Sequence, residues 1–357
     1  MTYRIIQWAT GNVGTHALRL IIERPDYELV GLRVYNPEKV GIDAGTIAGT
    51  APTGVLGTDD VDEILAMDAD CVSYCPLATT TGSIEEALDD LCRILASGKN
   101  VVAPSMAYFM YPPLVGGMAT QEGFDRIEAA CKEGGTSIHI AGASPGYVHD
   151  WVPLALTKAS RSIERIELSE VVSLRGLPKR QILCDYMGFG LPVDYDPLFF
   201  RQLAVVNDNP YHLPLRMLAD HTRLELDNVT WEREVALAPS EFETAAGSFP
   251  AGGMAATRGV LTGWWRERPA ITMTFVWRLS HEVAPEWPVE DSWTVKIVGD
   301  PTIEADLKVT TAFGTGRPVS IVSATVPLNA VPAVCEATDP GIKTAFDLPF
   351  DGGGYWA

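Results

Sequence analysis

Positive charge is scarce in this chain. Its 27 lysines and arginines stand against 46 aspartates and glutamates, a formal net charge of −19 over 357 residues. Nucleic acids and anionic membranes need net positive surface to meet their phosphates, so this balance argues against both as partners. Cysteine is sparse too: Cys71, Cys75, Cys92, Cys131, Cys184 and Cys335 are scattered, with no C-x-x-C pair of metal-ligand spacing. Several lie in apolar stretches, where a free thiol packs as a small hydrophobe, and no metal is expected. No apolar run reads as approaching the ~18 residues of a membrane span, and the opening MTYRIIQW lacks a signal-peptide layout. A cytoplasmic chain is the expectation. What is present, 46% hydrophobic and 20% charged residues, suits a globular protein with a sizeable core, and the length suggests two domains.

The most informative segment is RIIQWATGNVG, an apolar run that breaks at Ala9 into Thr10, Gly11, Asn12, Val13 and Gly14. The pattern is G-x-G-x-x-G with Ala9 in place of the first glycine, at a strand-to-helix turn. Gly11 lets the backbone approach a pyrophosphate with no Cβ in the way, and Gly14 lets the following helix (residues 16–23) pack closely on its strand. The unpaired N–H groups and dipole of that helix favour an anion. A second strand, residues 27–35, arrives on schedule. NAD-binding units place an acid about 20 residues after the glycines to accept the ribose hydroxyls. Here Val34, Tyr35 and Asn36 occupy that stretch, followed by Pro37, Glu38 and Lys39. No carboxylate ends the strand, Arg33 and Lys39 are cationic, and Asn36 can donate a hydrogen bond. A 2′-phosphate suits such a place, so NADP(H) is expected in preference to NAD(H). The plainer alternative makes Arg33 and Lys39 solvated surface charges.

Residues 1–148 alternate strand and helix, with strands expected at 52–58, 70–77, 100–103 and 136–141 and helices at 61–66, 83–97 and 121–132. This spacing implies an α/β architecture: a Rossmann dinucleotide-binding domain with a parallel sheet covered on both faces. Ligands of such sheets bind beyond the strand C-termini, so residues 10–14, 76–80, 104–107 and 142–146 share one rim. Pro76, Leu77, Ala78 and Ser105 are cofactor-contact candidates there. Residues 149–323 change texture, with strand-like runs at 162–174, 229–236, 259–265, 270–279, 292–298 and 303–311 and helical stretches at 152–158 and 196–206. They read as an α+β domain with a largely antiparallel sheet, for substrate and dimerisation. Residues 324–357 begin with a helical run and are expected to return to the first domain.

The N-terminal turn and four further segments together carry a family likeness: YNPEKVGIDAG after the second strand, GKNVV, GASPGYVHD (142–150) and NAVPAVCEATDPGIKTAFDLP (329–349). The chain resembles the dihydrodipicolinate reductase-like superfamily, and within it the 2,4-diaminopentanoate dehydrogenase and native amine dehydrogenase branch. The resemblance implies an N-terminal Rossmann domain and a C-terminal α+β domain that closes over the nicotinamide. It also implies a homodimer through the C-terminal sheet, NADP(H) or NAD(H), and reductive chemistry at a C=N or C=O carbon. Two departures matter. The reductase that names the superfamily carries a His-His pair and a lysine, whereas the comparable run here is ELSEVVSLRGLPKR, so lysine-biosynthetic activity is not expected. Amine dehydrogenases place a glutamate after the GKNVV strand to hold ammonia, yet residues 103–111 contain no carboxylate. Asp150, Glu170 or Asp185 would have to supply it.

Reductive amination asks for a group that holds ammonia and moves protons; a carbonyl reductase needs only a donor to the developing alkoxide. His149 and Asp150, just past the 142–146 turn, and Tyr108 are the catalytic candidates. The plainer and favoured alternative makes His149 a helix N-terminal histidine, and Tyr108, with Tyr111, packing in an aromatic loop. Asn329 is placed at the nicotinamide carboxamide or as a helix cap. His139 lies inside a strand and His16 on the first helix, both as structural residues. The aromatic content, with Met106, Met110 and Met187, favours an apolar cavity for a small ketone or aldehyde. The expected function is an NADP(H)-dependent oxidoreductase, an amine dehydrogenase catalysing reversible reductive amination of a small-molecule carbonyl. The alternatives are a carbonyl or imine reductase that does not use free ammonia, and a non-catalytic NADP(H)-binding sensor.

Overall fold

The structure is a computed structural model, and it describes residues 2–76, 83–197, 211–311, 318–349 and 352–355. The chain forms two units, Met1–Tyr147 with Thr311–Ala357 (unit 1) and Val148–Thr310 (unit 2). The first apolar runs become β1 (Tyr3–Trp8), β2 (Tyr27–Arg33), β3 (Gly57–Thr58), β4 (Cys71–Tyr74), β5 (Asn100–Ala103) and β6 (Ser137–Ile140). They pair in parallel in the order β6-β5-β4-β1-β2-β3. The connecting helices are α1 (Asn12–Glu23), α2 (Ala44–Ala48), α3 (Val61–Ala66), α4 (Ile84–Ala96) and α5 (Gln121–Gly134). Local chemistry sets their ends. Ser83 and Glu86 form a reciprocal capping box at the start of α4, and Thr120 Oγ1 accepts from the Gly123 N–H to cap α5. The strand order changes direction between β1 and β4, which makes that crevice the place where such sheets bind ligands.

Unit 2 begins with α6 (Trp151–Thr157) and β7 (Ser162–Ser173), followed by α7 (His212–His221), β8 (Asn228–Leu237), the hairpin β9 (Phe242–Thr244)–β10 (Gly247–Phe249), β11 (Met254–Trp265), β12 (Arg268–Arg278), β13 (Ser292–Asp300) and β14 (Ile303–Leu307). Its six-stranded sheet has the order β14-β13-β7-β12-β11-β8 and is antiparallel except where β7 meets β12. Period-2 alternation separates its faces. Ile166, Leu168, Ile271, Met273, Phe275, Val295 and Ile297 are buried with Leu215 and Leu218 of α7, while Glu167, Ser169, Thr272, Thr274, Thr294 and Lys296 lie half-buried on the other face. The helix expected at 196–206 falls largely outside the described residues, and Asp196 and Pro197 are not helical.

The chain re-enters unit 1 at Thr311, ahead of position 324. It forms α8 (Pro318–Asn329), α9 (Val331–Cys335) and β15 (Gly341–Lys343), which extends the parallel sheet beside β6. Residues 318–335 correct the reading that no apolar run approaches membrane length: this stretch has the length and composition to span one, with a mean hydropathy of 1.5. The apolarity has a use inside the unit. Ala324, Leu328, Val331 and Val334 pack with Tyr3, Ile5, Ala17, Ile21 and Cys71, covering one face of the sheet.

The close approach of β1 and α1 depends on Gly14. A Cβ there would lie 2.3 Å from the Ala9 carbonyl oxygen, and Ala9 itself holds a left-handed φ of 75°. That conformation costs a non-glycine residue about 1–2 kcal/mol, against the ~0.5–1 kcal/mol of chain entropy that a glycine loses on folding. Ala9→Gly is therefore expected to leave stability unchanged or raise it by up to ~1 kcal/mol. Gly14→Ala is expected to lower it by about 1–3 kcal/mol through overpacking against backbone. Denaturant unfolding of both variants checks the pair.

Candidate active site

The rim of unit 1 is built around the β1–α1 turn. Gln7, fully buried on β1, donates from Nε2 to the Ala9 carbonyl at 2.8 Å and so holds the turn from beneath. Gly11 caps α1 with no side-chain cap of its own, and no acidic residue occupies the first turn. Its φ of −71° is open to any residue, and a Cβ added there meets nothing within 4 Å. Neither backbone conformation nor packing therefore calls for glycine at this position. An open space above unpaired helix N–H groups is what a pyrophosphate would fill, and Thr10, Gly11, Asn12, Val13 and Gly14 fit that group. Lys39 closes the turn on its outer side, donating from Nζ to Thr10 O and Thr10 Oγ1, both at 2.9 Å.

The end of β2 carries cations and aromatic faces. The Arg33 guanidinium lies 4.5 Å from the Tyr35 ring centroid, and the Tyr35 hydroxyl accepts from Trp8 Nε1 and donates to Asp90. Burial raises the Asp90 carboxyl above its ordinary value, and Tyr35 is raised for the same reason. Asn36 caps the short 3-10 turn Pro37–Lys39 by accepting from the Glu38 N–H, so its carbonyl oxygen is engaged locally. The exposed Glu38 carboxylate touches the Asn36 amide at 3.4 Å.

Farther along the rim, Pro76 follows β4, whereas Leu77 and Ala78 lie outside the described residues. Ser105 donates from Oγ to the Tyr74 carbonyl at 3.2 Å, which ties the loop after β5 to the end of β4. Tyr108 is half-buried in the 3-10 turn Ala107–Phe109, entered through Met106 at φ 62°. Tyr111 is buried.

Asn329 is not on this rim. Helix α8 runs alongside α1 in the same direction. Its first turn meets the rim, where Asn12 Nδ2 donates to Ser320 Oγ at 2.6 Å and the Ala143 N–H to Ser323 Oγ at 3.4 Å. Asn329, at the other end of α8, accepts from Arg24 Nη1 at 2.6 Å and from the Gly354 N–H at 3.0 Å. The nicotinamide placement of Asn329 is thus overturned by the length of α8. The rim residues of the returning segment are Ser320 and Ser323, and nothing in their local sequence marked them.

Unit 2 holds the remaining candidates. His149 is fully buried, with Nε2 3.4 Å from the Ser169 carbonyl oxygen. Burial pushes its imidazole below the ordinary 6.5, against the smaller opposing pull of the Glu170 charge and the Ser169 carbonyl. Asp150, also fully buried, caps α6: its Oδ1 accepts from the Trp151 N–H at 2.7 Å. Glu170 stands on the apolar face of β7, 5% exposed. Its Oε1 accepts from the Tyr211 hydroxyl at 2.9 Å and from Trp277 Nε1 at 2.9 Å, and its Oε2 accepts from Trp293 Nε1 at 3.0 Å. Indole N–H groups can only donate, so both oxygens act as acceptors, the role of an ionised carboxylate. Bonds to a charged acceptor contribute about 1.5–3 kcal/mol each, enough for three to offset the several kcal/mol that burying the charge costs. Tyr211 keeps its proton for this bond, since burial first and the Glu170 charge second raise its hydroxyl well above the ordinary range.

The 2,4-diaminopentanoate dehydrogenase C-terminal domain family matches residues 147–353. An amine dehydrogenase of Streptomyces virginiae is 31% identical over 360 residues, 96% of this chain and 95% of that protein. The solved amine dehydrogenase of Mycobacterium smegmatis is similar with a TM-score of 0.77 at 18% identity, covering 98% of this chain and 96% of the other. GenD2 from gentamicin A biosynthesis, solved in complex with NAD, gives a TM-score of 0.52 at 15% identity over 97% of this chain and 90% of its own. At those identities the two structures speak to fold alone, a Rossmann domain joined to an α+β domain.

Two buried histidines make stability depend on pH. His139, inside β6 with Nδ1 2.8 Å from the Lys343 carbonyl oxygen, is lowered by burial as His149 is. Each ring is neutral when folded at neutral pH, whereas the unfolded chain takes up a proton near 6.5. Stability is therefore expected to fall as pH drops below that value. Each histidine contributes about 1.4 kcal/mol per pH unit until its folded form also protonates. Urea unfolding between pH 5 and pH 8 reads the slope, and His139→Gln should remove one histidine's share of it.

Proposed function

The chain belongs to the 2,4-diaminopentanoate dehydrogenase and amine dehydrogenase family, and we propose that it catalyses the reversible reductive amination of small apolar ketones or aldehydes with ammonia. It is an NAD(P)-dependent oxidoreductase. The observation that supports the reading is the exposed, unobstructed start of α1 at Gly11, where neither packing nor backbone conformation calls for glycine. When bound there, the nicotinamide cofactor supplies or receives the hydride. Thr10, Gly11, Asn12, Val13 and Gly14 would hold its pyrophosphate, with Pro76, Leu77, Ala78 and Ser105 as further contacts on the reading of the rim. The proton transfers of carbinolamine formation and dehydration are assigned to His149, Asp150 and Tyr108. His149, neutral near pH 7, is able to accept a proton there.

NADP(H) is the cofactor of this proposal. Its support is the absence of a carboxylate at Val34, Tyr35 and Asn36 and the position of Lys39 against Thr10, beside the pyrophosphate turn. The protein is read as a cytoplasmic homodimer. The half-buried polar face of the unit 2 sheet, with Glu167, Thr272, Thr294 and Lys296, is the surface on which the second copy would sit. A carbonyl reductase is the second reading, favoured by the stretch from Ala103 to Tyr111 with no carboxylate.

NADPH oxidation with a panel of small ketones and aldehydes, with and without excess ammonium at mildly alkaline pH, separates the two. Turnover that requires ammonium is expected; turnover indifferent to it would replace the amine dehydrogenase with the carbonyl reductase. Lys39→Glu is expected to weaken NADPH binding at least ~10-fold more than NADH binding, since each ~1.4 kcal/mol of lost charge pairing is tenfold. An equal effect on both would remove the 2′-phosphate assignment. Gly11→Val is expected to abolish cofactor binding with an unchanged unfolding midpoint, both read by titration calorimetry and thermal melting.

A further inference from the structure

Helix α8 opens with PVSIVSATV, residues 318–326, an apolar stretch broken by three hydroxyl side chains. The three are used in two ways. Thr325 donates from Oγ1 to the Ile321 carbonyl at 2.8 Å, the bond by which a helix satisfies a hydroxyl with its own backbone. Ser320 and Ser323, one turn apart, instead accept from outside the helix, from Asn12 Nδ2 at 2.6 Å and from the Ala143 N–H at 3.4 Å. A hydroxyl has a proton to give as well as lone pairs to fill. The Ser320 proton meets no acceptor among the described residues, although the residue is only 6% exposed. A donor buried this deeply without a partner costs stability, which argues for an acceptor from outside the chain.

The neighbours of Ser320 narrow the choice of acceptor. Asn12 belongs to the β1–α1 turn and Ala143 to the turn after β6, and all of these residues lie in unit 1. In this topology the adenosine half of a dinucleotide extends toward the end of β2, so the nicotinamide half extends the other way, toward β4, β5 and β6. The first turn of α8 thus meets the rim from the pyrophosphate turn toward the nicotinamide side. Neither α1 nor α8 carries an acidic residue in its first turn, so no carboxylate there competes for the proton or repels an anion. The bond from Asn12 also polarises the hydroxyl and makes it a better donor. A phosphate oxygen, which only accepts, is the partner that suits it.

We propose that Ser320 binds the cofactor, donating its hydroxyl proton to the phosphate on the nicotinamide side of the pyrophosphate while Asn12 holds its oxygen. The assignment rests on the reading that the pyrophosphate lies on the β1–α1 turn. It adds to that turn a donor from the far end of the sequence, so the cofactor site is complete only when the returning helix has packed beside α1.

Titration calorimetry on the full-length chain tests it with ligands that add one phosphate at a time. Adenosine 2′,5′-bisphosphate carries only the adenosine-side phosphate of the bridge, 2′-phosphoadenosine 5′-diphosphate adds the second phosphate without a ribose, and NADP+ is the whole cofactor. AMP, ADP and NAD+ are run in parallel, so the outcome does not depend on the 2′-phosphate assignment. Ser320→Ala is expected to weaken the diphosphates and the dinucleotides about 10- to 100-fold, as for one lost hydrogen bond to a charged acceptor, and to leave the monophosphate-bridge ligands unchanged. The unfolding midpoint is expected to stay where it was, because Asn12 is exposed and its amide can turn to water. Ser320→Cys, with a side chain of similar size but only a weak donor, is expected to give the same pattern and keeps the test decisive should the alanine variant not fold. Thr325→Ala removes a hydroxyl from the same helix and is expected to change no affinity. Equal losses on both classes of ligand, or no loss on the diphosphates, overturn the assignment. Wild-type binding untouched by Ser320→Ala removes this assignment alone; a wild type that binds neither series removes the pyrophosphate reading and this assignment with it.

Discussion

A parallel sheet leaves neither face free to meet water, and in unit 1 that requirement reaches from Tyr3 to Lys343. The strands are short, four residues in β4, β5 and β6, and are buried on both sides. One face is covered by α1 together with α8 and α9, through Ala17, Ile21, Ala324, Leu328, Val331 and Val334. Part of this cover comes from the segment that returns after unit 2. That packing accounts for the apolarity of residues 318–335, a stretch that Pro327 and Pro332 interrupt. It also explains the position of Ser320 and Ser323, brought to the rim because α8 lies alongside α1.

The same economy shapes the β1–α1 turn. Gly14 is required by contact with the Ala9 carbonyl, so it belongs to packing, whereas no neighbouring atom constrains Gly11. Lys39 and Gln7 stabilise the turn from opposite sides, one half-buried on its outer side and one within the core. A turn whose backbone is held in this way would lose little entropy on meeting an anion.

Unit 2 solves the opposite electrostatic problem. Its apolar sheet face tolerates the Glu170 charge because three neutral donors converge on it from positions far apart in the chain. Removing any of them would leave a buried acceptor short of a partner, so the aromatic residues around it serve as hydrogen-bond donors as well as packing. His149, buried beside this charge, is kept neutral by burial more strongly than the charge can oppose.

Much of this was legible in the residues alone. Periodicity and caps are local, so the capping box at Ser83 and Glu86, the β1–α1 turn and the strands 100–103 and 162–173 follow from a few neighbouring residues. The family likeness extended that reading to a Rossmann domain with an α+β partner. Other features depended on tertiary structure. The parallel pairing of β7 with β12, the helix His212–His221 and the partners of Glu170 depend on segments separated by tens to more than a hundred residues. Asn329 shows the limit most plainly. Its sequence suits a helix end near a ligand, and only the length and direction of α8 put it beside Arg24 at the opposite end from the rim. By itself, the sequence determined most of the strands and helices and the glycine-bearing β1–α1 turn, because these arise from contacts within a few residues. The tertiary structure decided which carboxylate is buried, which serines reach the rim and which side chains share a proton or a charge, because those depend on where distant elements pack.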